Sequence, residues 1–385
     1  MKILFLNSVV SYGSTGKIVR DLYDIFKNNG YECKIAFGRG EDIEGYSTFR
    51  IGNKVDVYRH VLRTRLTDTH ALGSKKSTME FINFLEKYRP DIINIHNIHG
   101  YYINLEVLCN YLSEKNIKIV WTLHDGWIFS GHSAHPALSD IGDPIFNNTT
   151  YKQRFEYPSS FVDNSTANYM MKKKAIENLK NIVFVTPSKW LKSIAKKSFL
   201  RDYEIKVLNN GINLEEFFPI NNVKSAKTVL LGVASIWSES KGIKIFNQLS
   251  EMVDSEKYQI ILVGKVKTKL NKKISHIERT ESVDSLRNLY NQATYFINPT
   301  FQDTFPTVNI EALACGTPVI TFNTGGSPEI INKYSGVVTE EKSALSIAKV
   351  LSYKPNFDSK DCVERATIFD KRKRNLDFFN YVNQL

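Results

Sequence analysis

Cysteine is scarce. Cys33, Cys109, Cys315 and Cys362 are scattered over 385 residues, and no pair stands at Cys-x-x-Cys spacing. That argues against a disulfide framework or a cysteine-based zinc site and favours a reducing cytoplasm. Long apolar runs are missing too: no stretch approaches the ~18 to 20 residues needed to cross a bilayer. The opening MKILFLNSVV resembles a signal peptide in its single lysine and short apolar run. Asn7 and Ser8 interrupt that run, however, and Gly13 to Gly16 follow at once, so it reads as a buried first strand. No segment is of low complexity. What remains is a folding composition, 42% hydrophobic and 24% charged, long enough for two or three domains. The net charge of +11 suits a polyanion, an anionic membrane surface or a phosphorylated small molecule.

The first half alternates apolar strands (2–9, 32–37, 91–96, 118–123, 182–185, 205–208) with helical segments (17–28, 77–87, 105–114, 168–179, 189–198). The strands are continuous apolar runs, which favours parallel strands covered on both faces. Gly30 stands where a helix C-terminal glycine belongs, and Ser188 can cap the helix after Pro187. A long irregular insert runs from about 126 to 165. Asn209, Asn210 and Gly211 read as a turn, and Pro219 suits a domain boundary. A second series follows, with strands at 228–234, 259–263, 294–297 and 318–322 and helices at 243–252, 283–291 and 308–315. The expected fold is α/β, two Rossmann-like domains facing a central cleft: 1–210, 211–365, and a last helix at 366–385.

Chemistry concentrates at FQDTFPTVNIEALACGTPVITFNTGGSPEII. Asp303 lies in a loop after a strand, and Glu311 follows eight positions later on a helix. Gly325 and Gly326 precede another short helix, where exposed N–H groups suit a phosphate. A carboxylate such as Glu311 can hold a ribose diol through two hydrogen bonds; the plain alternative is a capped helix with a solvated Glu311. In GVASIWSESKG, Lys241 and Gly242 open a helix where the lysine can offset a diphosphate. In VWTLHDGWIFSGHSAHP a strand delivers His124 and Asp125, with His132 and His135 close behind; the three histidines could hold zinc, although no further ligand is evident. The loop SYGSTGKI is no Walker A motif, since only two residues separate Gly13 from Gly16 and Ile18 follows Lys17. His96, Asn97, His99 and Gly100 form another strand-end cluster, open to acceptor contact or to structural hydrogen bonding.

Taken together these segments resemble family 4 retaining glycosyltransferases of the GT-B fold, over most of the chain. The resemblance is specific at 124–125, 186–190, 209–219 and 303–329 and looser at 40–80 and 136–165. It implies that Asp303 sits near the donor sugar and Glu311 binds the ribose, as catalytic-site residues with His124, which contacts the donor sugar. It implies donor contacts from Gly13, Gly16, Lys241, Phe305, Thr307, Gly325 and Gly326, with the first glycine loop flexible. Many members carry Glu-Gly-Phe-Gly where Asp303-Thr-Phe-Pro stands here; Gln302-Asp303 with Pro306 matches a subset that builds surface polysaccharides. Ser235 and Ser240 occupy the positions where members often carry a second phosphate-binding arginine, and Lys265 is a possible substitute. Asp125 is expected to set the His124 tautomer, and His96 and His99 to lie on the acceptor side. The resemblance implies no metal and no cofactor, a nucleotide-sugar donor, and a glycan or lipid-linked saccharide acceptor.

Residues 166–206 carry ten Lys or Arg against three Asp or Glu. Lys189, Lys192 and Lys196 share one helix face, while Trp190, Leu191, Ile194 and Ala195 supply an apolar side. This suits peripheral attachment to anionic lipid or, equally, a solvated face over a core. No nucleic-acid module is present. The Asn-x-Thr sites at Asn147 and Asn148 carry little meaning in a cytoplasmic protein. Two other functions stay open: a nucleotide-sugar epimerase of the same architecture, and a non-catalytic sugar-nucleotide or glycan-binding protein.

Overall fold

The computed structural model describes residues 1–135, 137–138, 144–146, 153–155, 157–220 and 225–385. It divides into two compact units, Met1–Leu208 with Asn375–Leu385, and Asn209–Arg374. Asn147 and Asn148 lie outside the described residues, as does part of the expected insert.

The first unit has strands β1 (Lys2–Val9), β2 (Glu32–Arg39), β3 (Thr48–Arg50), β4 (Ile92–Ile95), β5 (Lys118–Thr122), a small antiparallel pair β6 (Ala137–Leu138) and β7 (Pro144–Ile145), then β8 (Ile182–Thr186) and β9 (Ile205–Val207). Its helices are α1 (Gly13–Asn28), α2 (Lys54–Thr67), α3 (Lys75–Tyr88), α4 (Leu105–Ser113), α5 (Ser165–Glu177) and α6 (Lys189–Lys196). Its main sheet runs β3-β2-β1-β4-β5-β8-β9, parallel throughout. The order reverses between β1 and β4, which is where ligands of open α/β sheets gather. Both faces are covered, as the buried runs of β1 and β4 require.

The second unit has β10 (Thr228–Trp237), β11 (Tyr258–Val266), β12 (Ile274–Ile277), β13 (Tyr295–Asn298), β14 (Val319–Phe322) and β15 (Gly336–Thr339). Its helices are α7 (Ile243–Met252), α8 (Val283–Gln292), α9 (Thr307–Ala314), α10 (Ser327–Ile330), α11 (Ala344–Ser352) and α12 (Ser359–Thr367). The sheet order β12-β11-β10-β13-β14-β15 reverses between β10 and β13.

Three expectations change. The glycines of SYGSTGKI open α1 instead of a flexible loop. Gly13 takes φ +76° and Gly16 packs in the first turn, where a Cβ would stand 3.1 Å from the Val10 carbonyl. No turn forms at 209–211, and the next residue, Ile212, bridges Asp370, its N–H donating to Phe369 O at 3.0 Å. Gly211 permits this because a Cβ there would come within 2.6 Å of Lys371 Cα. That bridge also breaks the single helix expected at 366–385, so Ala366 ends in α12 and a separate α13 (Lys371–Gln384) follows. Within the first unit, Phe379 of α13 packs edge-on against Phe26 of α1 at 5.0 Å. Burying such a ring stabilises by roughly 1.5–3 kcal/mol.

Among the described residues no helix is long and apolar enough to cross a membrane. All four cysteines are free and buried.

Candidate functional site

In the first unit, the ends of β4 and β5 bring His96 and His124 together. The rings stack at 5.1 Å, with His96 Nδ1 2.8 Å from His124 Nε2. On its other side His96 Nε2 lies 2.8 Å from Asn94 Oδ1. Asn94 Nδ2 donates to the Val120 carbonyl at 2.9 Å and to Thr122 Oγ1 at 3.1 Å, so Oδ1 must be the acceptor. His96 therefore carries its proton on Nε2 and accepts at Nδ1, and His124 donates from Nε2. A three-residue chain thus fixes the His124 tautomer, leaving its Nδ1 as the unprotonated nitrogen. Burial keeps both rings neutral: His96 is held well below the ordinary histidine range, and His124 falls to about 4 even though Asp125 pulls the other way.

Asp125 does not set that tautomer. Its Oδ2 lies 2.9 Å from His99 Nε2, and its Oδ1 accepts from the Trp127 N–H at 2.9 Å, which shapes the loop after β5. Burial pushes the Asp125 carboxyl up, but His99 and the Trp127 amide together bring it down to about 2. The zinc alternative also dissolves. His132 Nδ1 is engaged by Asp68 Oδ1 at 2.6 Å, and among the described residues no three His, Cys, Asp or Glu side chains converge as metal ligands.

The basic segment is likewise redirected. Leu191 and Ala195 are buried, Trp190 and Ile194 pack against the first-unit core, and Lys196 donates to the carbonyls of Arg201 (2.6 Å) and Tyr203 (2.7 Å). The apolar side of α6 is thus core, not a membrane-inserting face. Lys172, from the same stretch, is fully buried over the Trp127 ring at 3.6 Å and donates to Trp127 O and Ser130 O, both at 2.8 Å.

In the second unit the loop after β13 gathers the other residues. Lys241 Nζ pairs with Asp303 Oδ2 at 2.6 Å. Asp303 Oδ1 accepts from the Phe305 N–H at 3.2 Å, and its carbonyl accepts from the Gly326 N–H at 3.1 Å. The glycine pair therefore locks onto the Asp303 loop. Gly325 takes φ +55°, and a Cβ there would stand 1.8 Å from Asp303 O. The Gly326 amide, expected to face a phosphate, is engaged in this contact. Phe305 is also corrected: its side chain is buried in the core beside Phe369, at 5.6 Å. Thr307 opens α9 behind Pro306, which provides no side-chain cap, so the first-turn amides of this helix lack one. Glu311 lies one turn on, on the same face as Thr307. Glu311 Oε2 accepts from the phenol of fully buried Tyr290 at 2.9 Å.

Tyr290 and Asn94 were not read as site residues from the sequence. Tyr290 reaches a partner 21 residues away, Asn94 is tied to His96 only because Val120 and Thr122 of the next strand hold its amide group, and neither lies within a recognisable motif.

Two family models match. One, "Glycosyltransferase Family 4", spans residues 15–216, more than half of the chain; the other, "Glycosyl transferases group 1", spans 227–353. The chain belongs to glycosyltransferase family 4. It is 22% identical over 378 residues to WcaC of Escherichia coli (strain K12), named as a glycosyl transferase of colanic acid biosynthesis, covering 91% of this chain and 90% of that one. It is 26% identical over 278 residues to RfbU of Salmonella typhimurium, an O-antigen chain mannosyltransferase, covering 67% of this chain and 71% of RfbU. Among solved structures, the sucrose-phosphate synthase of Thermosynechococcus elongatus matches with a TM-score of 0.73 at 17% identity, over 100% of this chain and 98% of that one. The two Rossmann-like units of this family 4 glycosyltransferase are those of the expected GT-B fold.

Proposed function

We propose that this family 4 glycosyltransferase moves a hexose or related sugar from a nucleotide-diphosphate sugar to a hydroxyl of a glycan, with retention at the anomeric carbon. The observation that carries the reading is the pairing of each spaced carboxylate with its own partner, Asp303 with Lys241 and Glu311 with Tyr290, around the uncapped start of α9. In this role Glu311 binds the ribose diol. Lys241 leaves Asp303 for the diphosphate, and the first-turn amides of α9 share the growing negative charge. Asp303 then accepts from the sugar. His124, neutral and with a fixed tautomer, orients the sugar. The bond from the anomeric carbon to phosphate breaks and the acceptor oxygen bonds on the same face, with its proton passing to the departing phosphate.

The position that lacks a second cation has a neighbour. Lys265 stands opposite Ile236 on the adjoining strand, one residue from Ser235, and is exposed. It can supply the missing positive charge. The names of WcaC and RfbU support an acceptor in bacterial surface-polysaccharide synthesis, lipid-linked in our reading, and hence a cytoplasmic site of action.

The test is mass spectrometry of the protein incubated with UDP-, GDP- and ADP-sugars, with and without a lipid-linked glycan extract. Release of one nucleoside diphosphate with a new glycan mass, both lost in Glu311→Ala, is the expected result. An epimerised donor without acceptor product, or a bound donor left unchanged, overturns it.

A further inference from the structure

The first unit holds a second charged site that neither the motifs nor the proposed chemistry uses. Arg39 ends β2 and Arg50 ends β3, with Phe37 and Arg50 opposite one another in the parallel register. With Lys54, the first residue of α2, they line a pocket of about 250 Å³, in which Glu41 is the one carboxylate among the lining residues. The Nε atoms of both arginines are buried without a hydrogen-bond partner. No carboxylate among the described residues pairs with either guanidinium. A buried N–H without a partner costs stability, and these half-buried arginines, unpaired with any described carboxylate, each present a planar fork of donors ready for an oxyanion. The wall is built, not accidental. Gly40 takes φ +94° and lies against Ser11, where a Cβ would come within 2.6 Å of Oγ, and the Glu41 N–H donates to that same oxygen at 3.3 Å.

We infer that this pocket binds a phosphate or diphosphate group carried by the acceptor. The assignment to the acceptor rests on the transferase reading above. Three cations against one carboxylate leave a surplus that matches a dianion, and arginine pairs with phosphate through two parallel bonds. The volume is below the roughly 300–1,000 Å³ of pockets that enclose whole drug-sized ligands, so it suits a head group and not a nucleotide. The donor's own diphosphate does not fit here. In the order β2-β1-β4-β5, the strand of Arg39 and the strand leading to His124 are three steps apart, about 14 Å at ordinary strand spacing. The donor diphosphate is bonded directly to the carbon that His124 serves.

Calorimetric titration of the full chain with inorganic pyrophosphate, in the presence of saturating nucleoside diphosphate, tests this. Pyrophosphate should still bind with the nucleotide site filled. Its affinity should fall about tenfold or more in the Arg39→Gln/Arg50→Gln variant, and less in Lys54→Gln, with nucleotide affinity unchanged in both. Complete competition between pyrophosphate and nucleotide, or equal pyrophosphate affinity in the variants, overturns the inference. Because Lys54 is exposed, Lys54→Gln decides the matter if the double variant does not fold. Kinetics separate the sources of the anion. A KM that rises in the variants for a phosphate-bearing acceptor, but not for the same glycan without phosphate, places the acceptor's group in the pocket; equal KM changes overturn that assignment. If pyrophosphate binds through these arginines while no nucleotide binds anywhere, the transferase reading fails and the pocket stands.

Discussion

His96 Nδ1 and His124 Nε2 lie 2.8 Å apart, although 28 residues separate them in the chain. The two rings are neutral, and Asn94 dictates which nitrogen of each carries the proton. His96→Phe keeps an aromatic ring against His124 but removes the acceptor that holds its N–H. On the proposed mechanism this substitution lowers kcat by about 10-fold to 100-fold, with little change in donor KM. Asn94→Leu should do the same to a lesser degree. Steady-state kinetics beside a melting curve check both, and an unchanged kcat in His96→Phe contradicts the relay.

Acid should unfold the protein early. His60 and His124 are lowered to about 4, and His70 and His96 well below the usual value, in every case chiefly by burial. In the unfolded chain each titrates near 6.5. Between that value and the folded one the unfolded state binds more protons, so stability is full above about pH 6.5 and falls as pH drops. His60 and His124 each contribute at most about 3 kcal/mol to this loss by pH 4. Thermal melts from pH 8 to pH 5 should show a declining Tm, flattened in His70→Phe. A Tm that holds steady to pH 5 contradicts the assignment. His70 is the choice for this variant because neither of its ring nitrogens has a partner.

Much of this was readable in advance, and the reasons for the rest are physical. The parallel sheets follow from uninterrupted apolar runs such as 2–9, which only a doubly covered strand can bury. Five short strands carry no readable period: TFR at 48–50, ISHI at 274–277 and GVVT at 336–339 are too brief or too mixed, and the two-residue strands at 137–138 and 144–145 fall within the segment that reads as an irregular insert. The Asp303 to Glu311 spacing announced itself locally. The partners of those carboxylates did not, since Lys241 and Tyr290 come from other elements. Asp125 was assigned to His124 by adjacency in sequence, yet successive residues leaving a strand diverge, and Asp125 meets His99 instead. The glycine pair 325–326 was recognised as special for its amides; its first need is close backbone approach to Asp303.

Tyr290→Phe removes a buried hydroxyl and nothing else. Glu311 then loses a charge-assisted hydrogen bond at 2.9 Å, and the folded state loses about 1 to 3 kcal/mol in denaturant titrations. The donor KM should rise several-fold through the loosened Glu311. A variant with wild-type stability and KM shows that the phenol does not position the carboxylate.

Lys172→Ala should be among the costliest single changes in the first unit. It strips the carbonyls of Trp127 and Ser130 of their donor and removes the amine that lies over the Trp127 ring. About 2 to 4 kcal/mol of stability should be lost, measured by urea unfolding. A loss below 1 kcal/mol, on the order of an ordinary surface change, contradicts the structural role.

Lys241→Met leaves Asp303 without its cation and the proposed donor without a diphosphate contact. Nucleoside diphosphate affinity should fall about tenfold or more, by calorimetry. Asp303→Asn should bind the nucleotide at least as well as wild type, because Lys241 is released, while its turnover collapses. Parallel losses of affinity in both variants would contradict separate roles for the two residues.

The most direct measurement follows one nucleotide sugar by proton NMR in the presence of its acceptor. Consumption of the donor, release of nucleoside diphosphate and a new anomeric signal of the donor's own configuration is the predicted result, abolished in His124→Ala. A product signal of inverted configuration contradicts retention, and a donor that epimerises or persists with no acceptor product contradicts glycosyl transfer itself.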